Sequence, residues 1–316
     1  MRVGIVISNA AATSPTHSTV HLALAALQAG HVLRFIEPWD FEVETDGRIQ
    51  ARAHCLDSPP ADREELTRLL VERQLPRRNI EVDRLDILLL RVNPLHDAVH
   101  SFALLAEQAG VRVLNSPTSL PRTNHKGWLA TLPGVPRPQT LVTRSRSAAE
   151  RFAAACGTGV VVKPARSCGG RGVSLIRGLR GLEAAMESAF KAGDGYVVVQ
   201  AYLPEAADGE KRLLWLDGSL LGGYLRQRAP GELRHNLKAG ATPQFCALTA
   251  KDQQILDSLT PHLRREGIWF AGVDVIGGSV VEVNVLNPGG LHYSGLFAGR
   301  DLASDLIQSL SNRMER

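Results

Sequence analysis

Three oxygen-bearing side chains lie close together in the stretch IWFAGVDVIGGSVVEVNVLNPGG, residues 268–290. Its two apolar runs flank a Gly-Gly dipeptide, which favours a tight hairpin turn because glycine accepts positive φ angles. Side chains alternate between the faces of a strand, so Glu282 and Asn284 point the same way and Asp274 can meet them from the partner strand. The sequence therefore predicts an antiparallel hairpin that gathers these three side chains.

The chemistry of this trio points to a metal ion. Carboxylates are costly to bury among apolar neighbours unless a cation lies beside them. Hard oxygen ligands suit Mg²⁺, which usually binds one or two carboxylates together with substrate phosphates. We therefore predict a magnesium site on the hairpin and expect phosphate-binding groups elsewhere in the chain.

A lysine followed by closely spaced glycines is the second candidate. In GVVVKPARSCGGRGVSLI, Lys163 ends a predicted strand, and Gly169, Gly170 and Gly172 precede the next one. Glycines let backbone N–H groups approach an anion, and the lysine adds a positive charge. The loop lacks the helix that follows a Walker loop, and an ordinary turn is the commoner explanation of such a motif by itself.

Composition limits the classes of function. At 316 residues, with 44% hydrophobic residues, the chain is long enough for two or three packed units that share a cleft. Its net charge of +4 is spread over interspersed acidic and basic residues, so no nucleic-acid partner is expected. No apolar run is long enough to span a membrane, and the N-terminus begins with a strand-like segment, so we expect a cytoplasmic protein without a membrane partner. The four cysteines lack short Cys/His spacings and are expected to be reduced thiols.

The elements that would position these residues alternate in the N-terminal part. Strand-like runs at residues 3–7, 31–36, 85–90 and 111–114 are separated by helical patterns, which predicts a parallel α/β layer with a variable insertion at residues 40–80. Arg91 follows one of these strands, at the end where open α/β sheets bind ligands. A surface ion pair is an equally weighted explanation of Arg91.

Further along, prolines at 133, 136 and 138 predict a break between units. A hairpin about Asp217-Gly218 leads to the Arg226-Gln227-Arg228 cluster. The next loop carries His235, for which solvent exposure is the simpler prediction. Residues 250–266 form an amphipathic helical pattern that delivers the chain to the hairpin.

Four motifs occur in a fixed order: NSPTSLPRTNHKGW around Lys126, VVKPARSCGGRGVSL, QAYLPEAADGEKRLLWLDG at residues 200–218, and FAGVDVIGGSVVEVNV. In order and spacing they resemble the ATP-grasp superfamily, and in particular the bacterial glutathione synthetase family, over nearly the whole chain. The resemblance implies an α/β (α+β) protein in which an ATP-grasp fold follows an N-terminal parallel α/β domain. It divides the chain into a substrate-side domain at 1–120, a central ATP-grasp subdomain with the phosphate loop at 121–195, and a C-terminal ATP-grasp subdomain with the metal site at 196–316.

The resemblance also implies residue roles. Lys126 and Lys163 hold the phosphates of ATP, the hairpin at residues 167–172 with Gly169 and Gly170 folds over them, and Cys168 is a small filler of that hairpin. The other assigned residues are Gln200, Ala201, Tyr202 and Leu203 for adenine; Asp208 for ribose; Asp274, Glu282 and Asn284 for two Mg²⁺ ions, with Mn²⁺ as a substitute; Arg212 and Arg228 for catalysis; and Arg91, Ser18, Arg234, Asn236, Asn287, Gly289 and Gly290 for the substrate.

The implied activity is that of an ATP-dependent carboxylate–amine ligase that forms an amide through an acyl phosphate. Glutathione synthetase, which joins γ-glutamylcysteine and glycine, is the named case. The alternatives are a relative that joins another acid and amine, and a non-catalytic nucleotide-binding protein, which is disfavoured because the implied site residues are all present. The implied partners are a small-molecule acid and amine and, as a dimer or tetramer, further copies of the chain.

Departures from the family pattern fall mostly on the acceptor side. Ser167 replaces a glycine in the phosphate loop, whereas the other changes are at residues 16–18, 91–94 and 286–290. The family's Lys-Asp-Ser is Thr-His-Ser here, its Arg-Lys-Asp-Pro is Arg-Val-Asn-Pro, and its Asn-Val-Thr-Ser-Pro-Thr is Asn-Val-Leu-Asn-Pro-Gly-Gly. The resemblance therefore specifies ATP use more closely than it specifies the acid and the amine.

Overall fold

The computed structural model describes residues 1–56, 58–167 and 169–314. It divides the chain into two units. The first unit comprises Met1–Leu120, Leu263–Ala271 and Val285–Arg316, and the second comprises Pro121–His262 and Gly272–Asn284. The chain therefore enters the second unit twice, and its second passage carries most of the predicted magnesium hairpin.

The strands of the described residues form sheets of seven, four and five strands. The seven-stranded sheet contains β1 (Arg2–Ile7), β2 (Val32–Ile36), β3 (Phe41–Val43), β4 (Ile49–Leu56), β5 (Arg77–Glu81), β6 (Ile87–Arg91) and β7 (Arg112–Leu114). The four-stranded sheet contains β8 (Thr140–Thr143), β9 (Val160–Pro164), β10 (Ser174–Ile176) and β11 (Val197–Ala201). The five-stranded sheet contains β12 (Glu210–Leu216), β13 (Ser219–Gln227), β14 (Thr242–Gln244), β15 (Phe270–Ile276) and β16 (Ser279–Asn284).

Helices connect and flank these sheets. They are α1 (Ser18–Gln28), α2 (Arg63–Val71), α3 (Asp97–Gln108), α4 (Leu120–Thr123), α5 (Gly127–Ala130), α6 (Arg146–Ala155), α7 (Leu182–Ala192), α8 (Ala250–Arg265), α9 (Leu291–Ala298) and α10 (Leu302–Met314). Within the described residues, none of them combines the length and the apolar character needed to cross a bilayer. Three of the cysteines, Cys55, Cys156 and Cys246, are free thiols in the structure.

The first sheet is parallel only in part. Strands β2, β1, β6 and β7 pair in parallel, as the alternating pattern predicted. Strand β6 is buried along its whole length, which is typical of parallel strands covered on both faces. The region predicted to be a variable insertion adds antiparallel strands, because β4 pairs with β2, β3 and β5 and extends the sheet.

The second unit has a separate apolar core between the four-stranded sheet and two helices. All neighbouring strands in this sheet are antiparallel, in the order β10-β9-β11-β8. Alternate valines of β9 and β11 are fully buried and pack with small and flexible residues of α6 and α7, including Ala153 and Met186. This packing holds the ends of β9 and β11, where Lys163 and Gln200 lie.

Both predicted hairpins are confirmed. Strands β15 and β16 pair antiparallel, with Asp274 directly opposite Glu282 and Gly272 opposite Asn284. Strands β12 and β13 pair in the same way around a turn whose residues Asp217 and Gly218 both have positive φ. The five-stranded sheet therefore places the two hairpins side by side, with β12 next to β15.

Candidate functional site

Asp274 is the centre of a buried cluster of charges in the five-stranded sheet. Arg212 on β12 donates from Nε to Asp274 Oδ1 at 2.6 Å and from Nη2 to Oδ2 at 3.0 Å. Arg226 on β13 approaches Oδ1 with its Nη2 at 2.6 Å and also donates to Glu210. Glu210 and Arg226 are direct partners in the register of β12 and β13. Two guanidinium groups and two carboxyl groups thus pair with one another in the sheet.

The two carboxylates of this cluster have opposite pKa shifts. Burial by itself would raise the pKa of Asp274, but the charges of Arg212 and Arg226 outweigh burial and hold the pKa at about 2. For Glu210 burial dominates, and the attraction of Arg226 only partly offsets it, so the pKa rises to about 7. Asp274 is therefore ionised at neutral pH, while Glu210 exchanges its proton near neutrality.

Of the other two predicted metal residues, Asn284 contacts Asp274 and Glu282 contacts Lys126. Asn284 donates from Nδ2 to Asp274 Oδ2 at 3.1 Å. Glu282 lies with Oε1 3.5 Å from Lys126 Nζ, and about a third of its side chain is exposed. The structure thus brings Asp274, Glu282 and Asn284 together on one face of the hairpin, as predicted.

The donor set fits a magnesium ion shared with phosphates. Within the described residues no three His, Cys, Asp or Glu side chains form a group that could hold a metal by themselves. The hairpin offers two carboxylates and one amide oxygen, which are hard ligands, and Mg²⁺ commonly takes its remaining ligands from phosphates and water. An ionised Asp274 beside the accessible Glu282 has the charge that such an ion requires.

Both predicted phosphate lysines are held by oxygen acceptors. Lys163 is buried and donates from Nζ to Gln200 Oε1 at 3.0 Å and to the Val281 carbonyl at 3.2 Å. Burial is the main cause that lowers the pKa of Lys163 below its usual value. Lys126 donates to the Ser167 carbonyl at 2.9 Å, at the start of the glycine loop. The two lysines and the predicted magnesium hairpin are therefore neighbours in the second unit.

The glycine loop has the backbone geometry that its sequence predicts. Gly169, Gly170 and Gly172 all have φ near +70°, a conformation that other residues rarely adopt. A Cβ atom on Gly170 would lie 2.8 Å from Cδ of Arg234, so this loop and the loop after β13 approach closely there. Cys168, assigned above as a small filler, lies outside the described residues.

The segment predicted to hold adenine borders an apolar cluster. Tyr202 packs with Ala206 and Ile276, and partly buried apolar side chains surround them, namely Val161, Leu175, Leu203, Leu233 and Val281. The amides of Ala201 and Tyr202 donate to the carbonyls of Gln139 and Gly159. Leu203 N–H has no acceptor among the residues that the structure describes. Asp208 follows on the surface, and its carboxylate likewise lacks a partner within that part of the chain.

The loop after β13 holds residues with different surroundings. Arg228 is half-buried, and its guanidinium pairs with none of the described residues. Arg234 makes a bidentate pair with Glu232, with Nη2 at 2.7 Å from Oε2, and Asn236 accepts from the backbone of Lys238 at 2.8 Å. His235 was expected to be solvent-exposed, and this was wrong. The residue is only 6% exposed, and its Nε2 lies 2.9 Å from the Ala206 carbonyl oxygen.

The predicted acceptor-side residues cluster in the first unit. Arg91 is buried and donates to Thr19 Oγ1 at 3.2 Å and to the Pro288 carbonyl at 3.0 Å. Asn287 donates to the Arg91 carbonyl at 2.9 Å. Ser18 Oγ accepts from the amides of Gly290 and Leu291 at 3.1 Å each. Gly289 stands between Pro288 and Gly290 in the same segment.

The surface ion pair considered for Arg91 is not present among the described residues. Burial lowers the pKa of Arg91 to about 9, and no carboxylate is within ion-pair distance of it in that part of the chain. Both of its hydrogen-bond acceptors are neutral oxygens. A buried cation without a counterion favours an anionic ligand.

Sequence reasoning missed three contributors to the site. Glu210 and Arg226 complete the charge cluster, and Thr140 accepts from Gln200 Nε2 at 3.1 Å and so fixes the amide that faces Lys163. The alternation of β12 gave a usable signal, because Glu210 and Arg212 share one face of that strand. Thr140 gave none, because β8 and β11 are far apart in sequence.

Two family models match most of the chain. The model described as "Prokaryotic glutathione synthetase, N-terminal domain" matches residues 1–121, and "Prokaryotic glutathione synthetase, ATP-grasp domain" matches residues 128–294. The chain belongs to the prokaryotic glutathione synthetase family. A glutathione synthetase of Pseudomonas putida is 32% identical to this family member over 322 residues, covering 100% of this chain and 99% of the relative.

Similarity to solved structures of other proteins shows the fold of this member of the family. D-cycloserine synthetase DcsG has a TM-score of 0.68 at 16% identity, with 99% of each chain covered. ATP-grasp ligase PsnB, complexed with a precursor variant, Mg and ADP, has a TM-score of 0.61 at 16% identity, with 100% of this chain and 99% of that chain covered. The predicted ATP-grasp fold is confirmed.

Proposed function

We propose that this protein is an ATP-dependent carboxylate–amine ligase that joins γ-glutamylcysteine and glycine. The observation that carries the proposal is the cluster of Lys126, Lys163, Asp274 and Glu282 in the second unit of a chain that a glutathione synthetase matches over its full length. Such a cluster combines cations for phosphates with oxygen ligands for a divalent metal. The proposal has three parts, which concern ATP, the metal and the acceptor.

ATP is assigned to the second unit. Lys126 and Lys163 bind its phosphates, and the amides of Gly169 and Gly170 cover them. The adenine ring lies against the apolar cluster around Tyr202. There the Leu203 N–H, which has no acceptor among the described residues, donates to a ring nitrogen, while Gln200 and Ala201 line the edge. Asp208 accepts from the ribose hydroxyls, because its exposed carboxylate has no partner in the part of the chain that the structure describes.

The metal is assigned to Asp274, Glu282 and Asn284, which together hold two Mg²⁺ ions, for which Mn²⁺ can substitute. When bound, the ions neutralise phosphate charge so that one anion can approach another. Arg212 and Arg226 keep Asp274 ionised and orient its carboxylate before any ion arrives. Lys126 keeps Glu282 beside the same face of the hairpin.

The reaction then needs positioned cations rather than a covalent enzyme nucleophile. A carboxylate oxygen of the acid attacks the γ-phosphorus, ADP leaves, and an acyl phosphate forms. The amine attacks the acyl carbon, phosphate leaves, and the amine nitrogen loses a proton as the amide forms. We assign Arg228 to the acyl phosphate because its guanidinium is half-buried and unpaired among the described residues. Arg212 is assigned as the second catalytic cation, which acts from its place on Asp274.

The acid is assigned to Arg91 in the first unit. Two of its nitrogen atoms are hydrogen-bonded to neutral oxygens, and the buried positive charge has no counterion among the described residues. A substrate carboxylate would supply that counterion. The backbone of Gly289 and Gly290 and the side chains of Ser18 and Asn287 are the assigned neighbours. In the second unit we assign Arg234 and Asn236 to the substrate.

The test is a panel of acids against amines with Mg²⁺ and ATP, read by ADP release and by product mass. We expect ADP only when an acid and an amine are both supplied, with γ-glutamylcysteine and glycine as the fastest pair. A different fastest pair would identify a related ligase. ADP release that is indifferent to every acid and amine would contradict ligase chemistry.

We also propose that the protein is a homo-oligomer, either a dimer or a tetramer. The proposal rests on the family resemblance. The chain has a mass of 34.2 kDa, so light scattering on the eluting protein distinguishes one, two and four copies. A mass of one chain at micromolar concentration would contradict the proposal.

A further inference from the structure

A cleft of about 530 Å³ opens in the first unit beside α1, α2 and α9. None of the residues assigned to ATP, the metal or the acceptor lines it. Its apolar wall consists of Leu24, Ala25, Leu291 and Leu296. Its polar groups are His21 and Gln28 of α1, Arg63 of α2, His292 of α9, and the pair Arg300 and Asp301 that follows α9. The cleft thus combines an apolar wall with cationic groups.

Arg63 has an unusual pair of partners. Its Nη1 lies 2.7 Å from His21 Nε2 and 3.4 Å from His292 Nδ1. A guanidinium group only donates hydrogen bonds, so both imidazole nitrogens accept and both rings are neutral tautomers. Among the described residues no carboxylate pairs with Arg63, and its Nε and Nη2 have no acceptor. The edge of the guanidinium formed by Nε and Nη2 is the one that binds a carboxylate through two parallel hydrogen bonds.

The titratable groups around the cleft form no ion pair with Arg63 in the part of the chain that the structure describes, although the charges of Asp301 and Glu64 act on His21 and His292. Burial, followed by the charge of Arg63, lowers the pKa of His21 to about 4, and the same two causes lower that of His292. Asp301 is occupied at the start of α10, where it accepts from Ala303 N and Ser304 Oγ, each at 2.9 Å. Arg300 pairs with Asp305. A bound anion would therefore meet a guanidinium edge that no carboxylate of the described residues occupies.

We propose that the cleft beside Arg63 binds a small organic carboxylate with an apolar body. The planar guanidinium matches a carboxylate in geometry, and the leucine wall removes apolar surface of the ligand from water. This site is separate from the proposed ligase site in its residues, and the proposal stands whether or not the ligase assignment does. Its ligand would occupy the first unit without contacting Arg91.

The probe is hexanoate, titrated into the full-length protein while the ring signals of His21 and His292 are followed by NMR. We expect saturable shifts of both signals. Arg63→Gln is expected to lower the affinity for hexanoate at least tenfold. Arg63→Lys keeps the charge but cannot donate two parallel hydrogen bonds, so it should lower the affinity several-fold. Arg68→Gln is the matched control, because Arg68 lies on the same helix and pairs only with surface groups. The Arg68→Gln variant should bind hexanoate with the same affinity as the unaltered protein.

Two comparison ligands distinguish the contribution of the apolar body from that of the negative charge. Hexanol offers the apolar body without the charge, and inorganic phosphate offers the charge without the body, so both are expected to bind at least tenfold more weakly than hexanoate. Equal binding of either one, or equal hexanoate binding by a folded Arg63→Gln variant, would overturn the proposal. So would shifts of the same signals that follow protein concentration without ligand, because a second copy would then occupy the cleft.

Discussion

Asp274 shows how a buried carboxylate stays ionised inside a sheet. An isolated buried carboxylate would take up a proton, but two guanidinium groups bind this one and keep it ionised. The cost of burying these charges is offset because the hydrogen bonds among the four side chains are direct. The Asp274 carboxylate is therefore already ionised for the metal ion that we propose it binds.

Replacing Glu282 by Gln should lower turnover roughly 100-fold or more, because the change removes one of two metal carboxylates. The fold should be kept, since the side chain is about a third exposed. Steady-state kinetics measures the effect, and thermal unfolding checks the fold. Glu187→Gln, an exposed change on α7, is the control and should keep full activity. Unchanged turnover in the Glu282 variant would refute the metal assignment.

The raised pKa of Glu210 predicts that the free energy of unfolding depends on pH. Its folded pKa of about 7 lies above the usual 4.5, so the folded state holds a proton that the unfolded state has released between these pH values. The stability this proton confers is fully present below pH 4.5 and is lost as the pH rises through 7. Relative to Glu210→Gln, the free energy of unfolding of the unaltered protein should fall by about 3 kcal/mol from pH 4 to pH 8. Urea unfolding at several pH values tests this, and parallel pH profiles would contradict it.

At the scale of elements, one side chain fixes both ends of the magnesium hairpin. Asn115, just after β7, donates from Nδ2 to the carbonyls of Phe270 and Val285 at 2.8 and 2.5 Å. Its Oδ1 accepts from the amides of Trp269 and Phe270 at 2.7 and 3.1 Å. Phe270 begins β15 and Val285 follows β16, so the side chain satisfies backbone groups at the entrance and the exit of the hairpin.

Asn115→Ala should therefore destabilise the protein by about 3 kcal/mol or more, because several buried backbone groups lose their partners. Asn115→Asp should also be destabilising, since a carboxylate cannot donate to the two carbonyls. Urea unfolding gives both values. Asn312→Ala, on the last turns of α10, removes only an exposed bond to Gln308 and should change stability by less than about 0.5 kcal/mol. A similar loss in both alanine variants would rule out this role for Asn115.

Elements with a local pattern were predictable, and those defined by long-range pairing were not. The two hairpins follow from their turn residues, and the parallel strands from their buried runs. Strand β4 carries an alternating pattern with Ala51 and Ala53 buried, yet nothing nearby shows that it pairs antiparallel with β2. His235 is buried by a carbonyl from an earlier turn of the chain, which its own loop does not reveal.

At the scale of the whole molecule, the order of four motifs predicted more than any motif alone. That order identified the family, which two domain matches and a full-length relative support independently. It could not reveal which arginine binds Asp274, because Arg226 and Arg228 are two residues apart and both are basic. Only the register of β13 against β12 distinguishes them. The order of the motifs therefore predicted the reaction class, whereas the strand pairing was needed to identify the arginine that contacts Asp274.

Nucleotide should stabilise the whole protein by linkage. At 100 times its Kd, ADP with Mg²⁺ should add about 2.7 kcal/mol to the free energy of unfolding. A rise in the thermal midpoint measures this, and EDTA should remove most of it. Lys163→Met should abolish the rise, whereas Lys191→Met, an exposed change on α7, should keep it. An equal rise in both variants would contradict the placement of the phosphates.

The buried cluster of Glu210, Arg212, Arg226 and Asp274 also restricts how this family can evolve. Losing Arg226 alone leaves Glu210 buried without its guanidinium partner, and losing Glu210 alone leaves an excess of positive charge in the cluster. Either single substitution should therefore lower the stability of the folded protein. Positions 210 and 226 should consequently change together along lineages, as an acid with a base or as two neutral residues. Position 274, to which we assign a metal ion, should stay acidic in every lineage that keeps the activity.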